Sequence, residues 1–290
     1  MSVFNFFMSN PDSKLPIGVF DSGIGGVSVL AEVIKELPGE EFIYFADTLH
    51  APYGMKSESE VLSLSLKAAG FLSSVGVKCL VVACNTATGA AIREIRRTYP
   101  FPVIGMEPAV KPAAELCPHG KILVMATPLT LKSKKFNDLI HHYKHRTEIV
   151  PLPCPGLVEI IEKGHIHGQE IEDYLSRIFS TVDTEGVSAI VLGCTHYVLI
   201  KEEIRKAVGK GIVVIDGNSG TARQVRTVLT NERLLNSTLG KRPEIPLKAN
   251  VRFYISGNGK ETIRRCRQLL QNEGIICESE VSPLGSRGNS

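Results

Sequence analysis

Two cysteines stand in matching surroundings. Cys79-Leu80-Val81-Val82-Ala83-Cys84-Asn85-Thr86 and Ala189-Ile190-Val191-Leu192-Gly193-Cys194-Thr195-His196 share one plan. Each is an apolar run, a small residue, a cysteine and two polar residues that open a helix. A cysteine at such a junction meets backbone N–H groups and the positive end of the helix dipole, so its thiolate forms more readily than that of a free cysteine. A thiolate can act as nucleophile, metal ligand or general base. The bland alternative is a small buried apolar residue. That alternative is kept for Cys79, Cys117, Cys154, Cys266 and Cys277, which lack comparable flanks.

Other polar groups accompany the pair. The first apolar run ends in Phe20-Asp21-Ser22-Gly23-Ile24-Gly25-Gly26, where glycines permit close approach. Ser28 breaks the dinucleotide fingerprint and no GK[ST] ending follows, so both nucleotide-loop readings fail. Asp21 can bind an ammonium, set a thiol's protonation, or merely cap a helix. Pro52-Tyr53-Gly54 reads as a shaped turn, with Tyr53 lining a pocket or closing a loop. Asn85, Thr86 and Thr88 follow the first thiol, and Thr195 and His196 the second; they suit a carboxylate or serve as caps. Thr127 and Thr130 are weaker candidates of the same kind. His196 can tune or relay a proton to a nearby thiol. Glu159 and Glu162, three apart on a short helix, offer a carboxylate to orient it, or form a solvated face.

Other chemistries drop out. A Cys-x5-Arg phosphatase loop is excluded by Ala90 and Ile200, and no GxSxG elbow or CxxC pair occurs. The His141-His142-His145 cluster reads as a solvated helix end, and no metal is expected. One mechanism that fits the pair uses two equivalent thiols and no cofactor. One base removes the α-proton of an amino acid, and an acid on the opposite face returns one, inverting the centre.

The elements that position these residues follow from short, mostly unalternating apolar runs: Ile17 to Phe20, Phe42 to Ala46, Cys79 to Ala83, Val103 to Met106, Lys121 to Ala126, Glu148 to Leu152, Ala189 to Gly193 and Val213 to Asp216. Such runs are strands of a parallel sheet covered on both faces. Helical spacing links them, as in Val61, Leu64, Leu66, Ala68 and Leu72, or Ile171, Leu175, Ile178 and Phe179. Alternating strand and helix specify an α/β fold with doubly wound parallel sheets. The echo of the two cysteine motifs implies two related halves. Each delivers a thiol at a strand's C-terminal end, where open parallel sheets bind ligands.

Composition agrees. The 290 residues suit two α/β domains, 43% are hydrophobic, and 33 Lys+Arg against 30 Asp+Glu leave +3. That charge gives no ground for a nucleic-acid or membrane surface. Seven cysteines, odd in number and widely spaced, read as reduced thiols. No secretory signal or membrane span is recognised, so a cytoplasmic location is expected. Residues 1 to about 15 read as a loose extension, Asn236 to Lys248 as a long surface loop, and the tail after Glu278 as frayed.

Taken together, Asp21-Ser22-Gly23-x-Gly25-Gly26, Pro52-Tyr53-Gly54, Ala83-Cys84-Asn85-Thr86-Ala87-Thr88 and Gly193-Cys194-Thr195-His196-Tyr197 resemble the glutamate racemase family of the aspartate/glutamate racemase superfamily. The resemblance runs in order from about residue 16 to residue 272. It implies cofactor-independent interconversion of L- and D-glutamate, supplying D-glutamate for peptidoglycan. By matching motif, Cys84 and Cys194 transfer the protons. Cys84 takes one from D-glutamate and Cys194 one from L-glutamate. Asp21 and His196 are auxiliary groups, and Glu162, in Val158-Glu159-Ile160-Ile161-Glu162-Lys163-Gly164, is a helper carboxylate in preference to Glu159. Asp21-Ser22, Tyr53-Gly54, Asn85-Thr86 and Thr195-His196 match substrate contacts, with Thr127 an additional one. The resemblance further implies a homodimer with the active site in the cleft between two related domains. Residues 109 to 216 form one, inserted into a discontinuous other made of 1 to 108 and 217 to 290. Val198 departs from the family's proline, and the N-terminal extension carries no feature that assigns it a regulator. A racemase for aspartate or another amino acid, and a non-catalytic amino-acid-binding protein of the same fold, are the competing readings.

Overall fold

A computed structural model describes residues 12–118, 120–236 and 246–278. The eight apolar runs are strands β1 (Ile17–Asp21), β2 (Glu41–Ala46), β3 (Cys79–Val82), β4 (Val103–Gly105), β5 (Lys121–Ala126), β6 (Glu148–Pro153), β7 (Val187–Leu192) and β8 (Val213–Asp216). Two further strands, β9 (Leu247–Ile255) and β10 (Ile275–Cys277), lie beyond them. All pairings are parallel. The strands form two sheets, of order β10-β9-β2-β1-β3-β4 and β6-β5-β7-β8.

The second sheet repeats the first. Replace β1 to β4 by β5 to β8 and the order 2-1-3-4 becomes 6-5-7-8. In both, the chain leaves its first strand toward one side and returns on the other. The switch point therefore falls between β1 and β3, and between β5 and β7. Loops diverge there and leave a crevice at the strands' C-terminal ends. Asp21 ends β1 and Cys84 follows β3; Thr127 follows β5 and Cys194 follows β7. The fold thus delivers both thiols from equivalent places.

Helices cover both faces of each sheet, which is why the strands read as continuous apolar runs. On the first sheet, α1 (Val27–Glu36), α11 (Asn218–Asn231) and α12 (Gly259–Asn272) bury Val29, Leu30, Val225 and Ile263 on one face. On the other face, α2 (Glu58–Val75) and α3 (Asn85–Thr98) bury Val61, Leu72, Ala91 and Ile95. On the second sheet, α7 (Leu157–Glu162), α8 (Gln169–Phe179), α9 (Thr195–Val198) and α10 (Lys201–Val208) share one core. The opposite core holds α4 (Val110–Leu116) and α6 (Lys134–Tyr143). The short α5 (Pro128–Lys132) follows β5. Local signals set the helix ends: Ser57 caps α2 by accepting from Glu60 N at 3.2 Å, and Gly76 stops it at φ 87°. Each sheet with its helices is called a lobe below.

Two expectations need correction. Leu247 and Lys248 begin β9 rather than ending a loop; Ala249, Val251, Phe253 and Ile255 alternate into the core. Residues 237–245, which carry most of that expected loop, lie outside the described residues, as do 1–11 and the tail 279–290. Of the extension, residues 12–15 are not loose. Leu15 N bonds Asp12 O, and buried Lys78 donates to Ser13 O at 2.6 Å while pairing with Glu40. No helix among the described residues is long and apolar enough to cross a membrane.

Candidate active site

The two cysteines meet at one cavity. It is narrow, and its walls include Ser22, Tyr53, Cys84, Asn85, Cys194 and His196. Cys84 is 6% exposed and Cys194 7%. Cys84 is the N-cap of α3 and accepts from Ala87 N at 3.4 Å, as the junction in the sequence predicts. Ser22 Oγ lies 3.7 Å from its sulfur. Burial pushes the Cys84 thiol up and Asp21 adds to this, while the Ala87 N–H works in the opposite direction.

Cys194 holds the corresponding place before α9. His196 Nδ1 stands 3.8 Å from its sulfur, and His196 Nε2 lies 2.6 Å from Glu162 Oε1. Burial opposes charge on the imidazole, but its bonds to Cys194 and Glu162 prevail and hold it well above the ordinary histidine range. Burial likewise opposes charge on Glu162, and His196 brings that carboxyl below its usual range. The outcome is an imidazolium–carboxylate pair behind the second thiol. Glu159 shares α7 but makes no such contact; the structure brings Glu162 to His196.

Asp21 is fully buried and spans the lobes. It accepts from Ser22 N at 2.7 Å and from Gly26 N within its own loop, and from Thr195 Oγ1 at 3.1 Å across the cleft. Burial raises its carboxyl pKa despite the opposing field of His196. Its link to the first thiol runs through Ser22, and its direct contact is with the residue after the second. The glycines beside it serve close approach. A Cβ on Gly23 would fall on Glu162 Oε1, and one on Gly25 would lie 2.7 Å from both His196 N and Thr195 Oγ1.

The remaining candidates divide. Asn85 is 5% exposed, and neither its amide nitrogen nor its amide oxygen has a partner. Such a group costs on the order of 1–3 kcal/mol unless a ligand satisfies it. Thr86, from the first lobe, meets Thr127 and Thr130 of the second at 2.9 and 3.0 Å, and those two are 2.9 Å apart. This ring of hydroxyls satisfies itself and holds donors that a carboxylate can take over. Tyr53 lines the cavity while its hydroxyl donates to Asp47 Oδ2 at 2.6 Å. Gly54 abuts Thr127, where a Cβ would lie 2.6 Å from Cγ2. Thr88 is corrected: it donates to Val82 O and accepts from Met106 N, tying β3 to β4. His141, His142 and His145 are exposed, and no group of ligating side chains fit for a metal occurs among the described residues.

Sequence reasoning missed the supports. Asp47 also accepts from His50 at 2.8 Å and Ser256 at 2.6 Å, anchoring the Tyr53 loop to the end of β9. Buried Tyr44 donates to Gly23 O at 2.6 Å from beneath the glycine loop. For Asp47 the available signal was an acid just after a strand and six residues before a tyrosine.

Comparison with known proteins places this arrangement. Residues 17–225 match the model of the Asp/Glu/Hydantoin racemase family. A curated glutamate racemase of Clostridium novyi (strain NT) is 50% identical over 266 residues, covering 91% of this chain and 99% of the relative. The chain belongs to this racemase family. Within it, the chain groups with the glutamate racemases, and it is therefore an amino-acid racemase, an isomerase. Crystal structures agree. Glutamate racemase from Francisella tularensis subsp. tularensis SCHU S4, in complex with D-glutamate, superposes with TM-score 0.76 at 30% identity, covering 93% of this chain and 96% of that one. The Escherichia coli enzyme, in complex with L-glutamate and the activator UDP-MurNAc-ala, gives TM-score 0.76 at 29% identity over 94% of this chain and 100% of that one.

Proposed function

We propose that this racemase interconverts L- and D-glutamate by two-base proton transfer between Cys84 and Cys194. The observation that carries the proposal is the pair of buried thiols, one from the switch point of each lobe, on the wall of one cavity. The substrate follows from the relatives, which are named glutamate racemases and in two crystal structures hold D- or L-glutamate.

Cys84 as thiolate takes the α-proton of D-glutamate, and Cys194 as thiol delivers one to the opposite face. The reverse reaction exchanges the roles, and each sulfur ends in the state the other direction needs. No electron acceptor or carbonyl cofactor enters this balance. Burial and Asp21 disfavour the Cys84 thiolate. The substrate's ammonium brings a positive charge beside Asp21, which offsets that penalty when the base is needed. His196, kept charged by Glu162, donates toward the Cys194 sulfur and stabilises its thiolate in the other direction. Ser22, Asn85, Thr86, Thr127, Thr195 and the Tyr53-Gly54 turn hold the substrate's polar groups. The proposal extends to the two-domain division at 1–108 with 217–290 and 109–216, a homodimer, a cytoplasmic location and supply of D-glutamate to peptidoglycan. These rest on the family resemblance.

The test is hydrogen exchange. Protein without added cofactor, in deuterium oxide, should incorporate deuterium at the α-carbon of either glutamate enantiomer while inverting it. Rapid exchange of aspartate but not glutamate would transfer the proposal to another amino acid, and exchange of neither would end it. Asn85→Ala should raise KM for glutamate about tenfold, the loss of one buried hydrogen-bond partner, with a smaller change in kcat. Steady-state rates against substrate concentration check this; an unchanged KM would remove Asn85 from the binding set.

A further inference from the structure

Helix α12 belongs to the first lobe and α7 to the second. Between them runs an open groove of about 740 Å³, lined by Ile24, Lys163, Gly164, Arg265 and Leu269. Past Leu269 and Asn272 it adjoins a wider one of about 1280 Å³. Along this side open space lies between the lobes beside Leu199, which packs against the cores of both.

Arg265 reaches across it. Its Nη1 donates to the Glu162 carbonyl at 2.6 Å and its Nη2 to the Lys163 carbonyl at 3.3 Å, while Glu261 accepts from Nε at 3.0 Å. These carbonyls end α7, where helix acceptors lack intrahelical partners and the dipole is negative. Gly164, at φ +95°, leaves the turn open: a Cβ there would lie 3.4 Å from the guanidinium carbon. Glu162 is thereby held twice from the first lobe. Arg265 holds its carbonyl, and Ile24 N–H donates to its Oε1 at 2.8 Å. The same Oε1 pairs with His196, which stands beside Cys194.

We propose that Arg265 is a positioning residue for the Cys194 arm: its grip on the end of α7 seats the Glu162 carboxylate on His196, so that this arm is complete only when the lobes are together. Substrate entry into so closed a cavity requires the lobes to part, and parting them breaks both attachments of Glu162. The arm then loses its fixed carboxylate until closure restores it. The proposal rests on the two-thiol reading above.

The test uses Arg265→Ala and Arg265→Lys in the full chain, with α-deuterated L- and D-glutamate. Arg265→Ala should lower kcat/KM about tenfold, through kcat more than KM. The factor is the same in both directions, because enantiomers have equal energy. The isotope effects must diverge: larger for L-glutamate, whose C–D bond Cys194 breaks, and smaller for D-glutamate, where Cys84 breaks it and Cys194 acts afterwards. Arg265→Lys, still able to donate to a carbonyl, should recover most of the rate. An unchanged rate, or a loss with unaltered isotope effects, overturns the proposal and leaves Arg265 a helix cap. Should Arg265→Ala not fold, Glu261→Gln frees the guanidinium while keeping it, and a smaller shift of the same kind is expected; wild-type isotope effects there would also overturn it. Failure of the two-thiol reading is seen separately, in wild-type protein that shows no α-hydrogen exchange.

Discussion

Replacement of either sulfur, Cys84→Ser or Cys194→Ser, should lower kcat/KM for racemisation about a thousandfold or more, within the range ascribed to a positioned acid or base. A hydroxyl fills nearly the same space but gives up its proton far less readily, so the fold persists while the transfer stops. Both directions must fall by one factor, since every pass through the carbanion uses both residues. A chiral assay run from each enantiomer checks this. One further result separates the arms. Cys84→Ser retains the base facing L-glutamate and should exchange its α-hydrogen without inversion, and Cys194→Ser should do the same with D-glutamate. A single variant that racemises within tenfold of the parent would remove the two-base assignment.

Gly25→Ala should cost at least about a hundredfold in kcat/KM with secondary structure intact. The added methyl would lie 2.7 Å from His196 N and Thr195 Oγ1, so the glycine loop and the second lobe must separate. Overpacking of this kind costs about 1–3 kcal/mol where surroundings yield. Here they yield by spoiling the Thr195–Asp21 bond and the seat of His196. Circular dichroism and kinetics on one preparation decide it. Near-parental activity would show that this loop need not approach the second lobe so closely during the reaction.

Much of this was legible in the sequence because parallel strands covered on both faces leave continuous apolar runs. The eight strands that carry the site were found that way. The repetition of the cysteine motif exposed the two lobes for a related reason: the same four-strand order places the same junction at the same edge of each cleft. β9 escaped because it alternates, Ala249 and Val251 inward with Asn250 and Arg252 between, and short apolar runs were the pattern sought. The hydroxyl ring of Thr86, Thr127 and Thr130 could not be read from spacing, since it forms only after two separate lobes come together. Arg265 was invisible for the same reason, and Tyr44 because its partner Gly23 is distant in sequence within one lobe. Each acts on a functional segment through a contact that sequence order does not encode.

The late position of β9 sets an order of assembly during synthesis. β5 to β8 are contiguous, so the second lobe leaves the ribosome with its whole sheet and can fold at once. The first lobe cannot. Its β2 waits as an unpaired edge until β9 arrives, although the nascent chain already contains β1 to β4. The half that is translated first is therefore the half that matures last, and it is the one exposed to edge-to-edge aggregation in the interval.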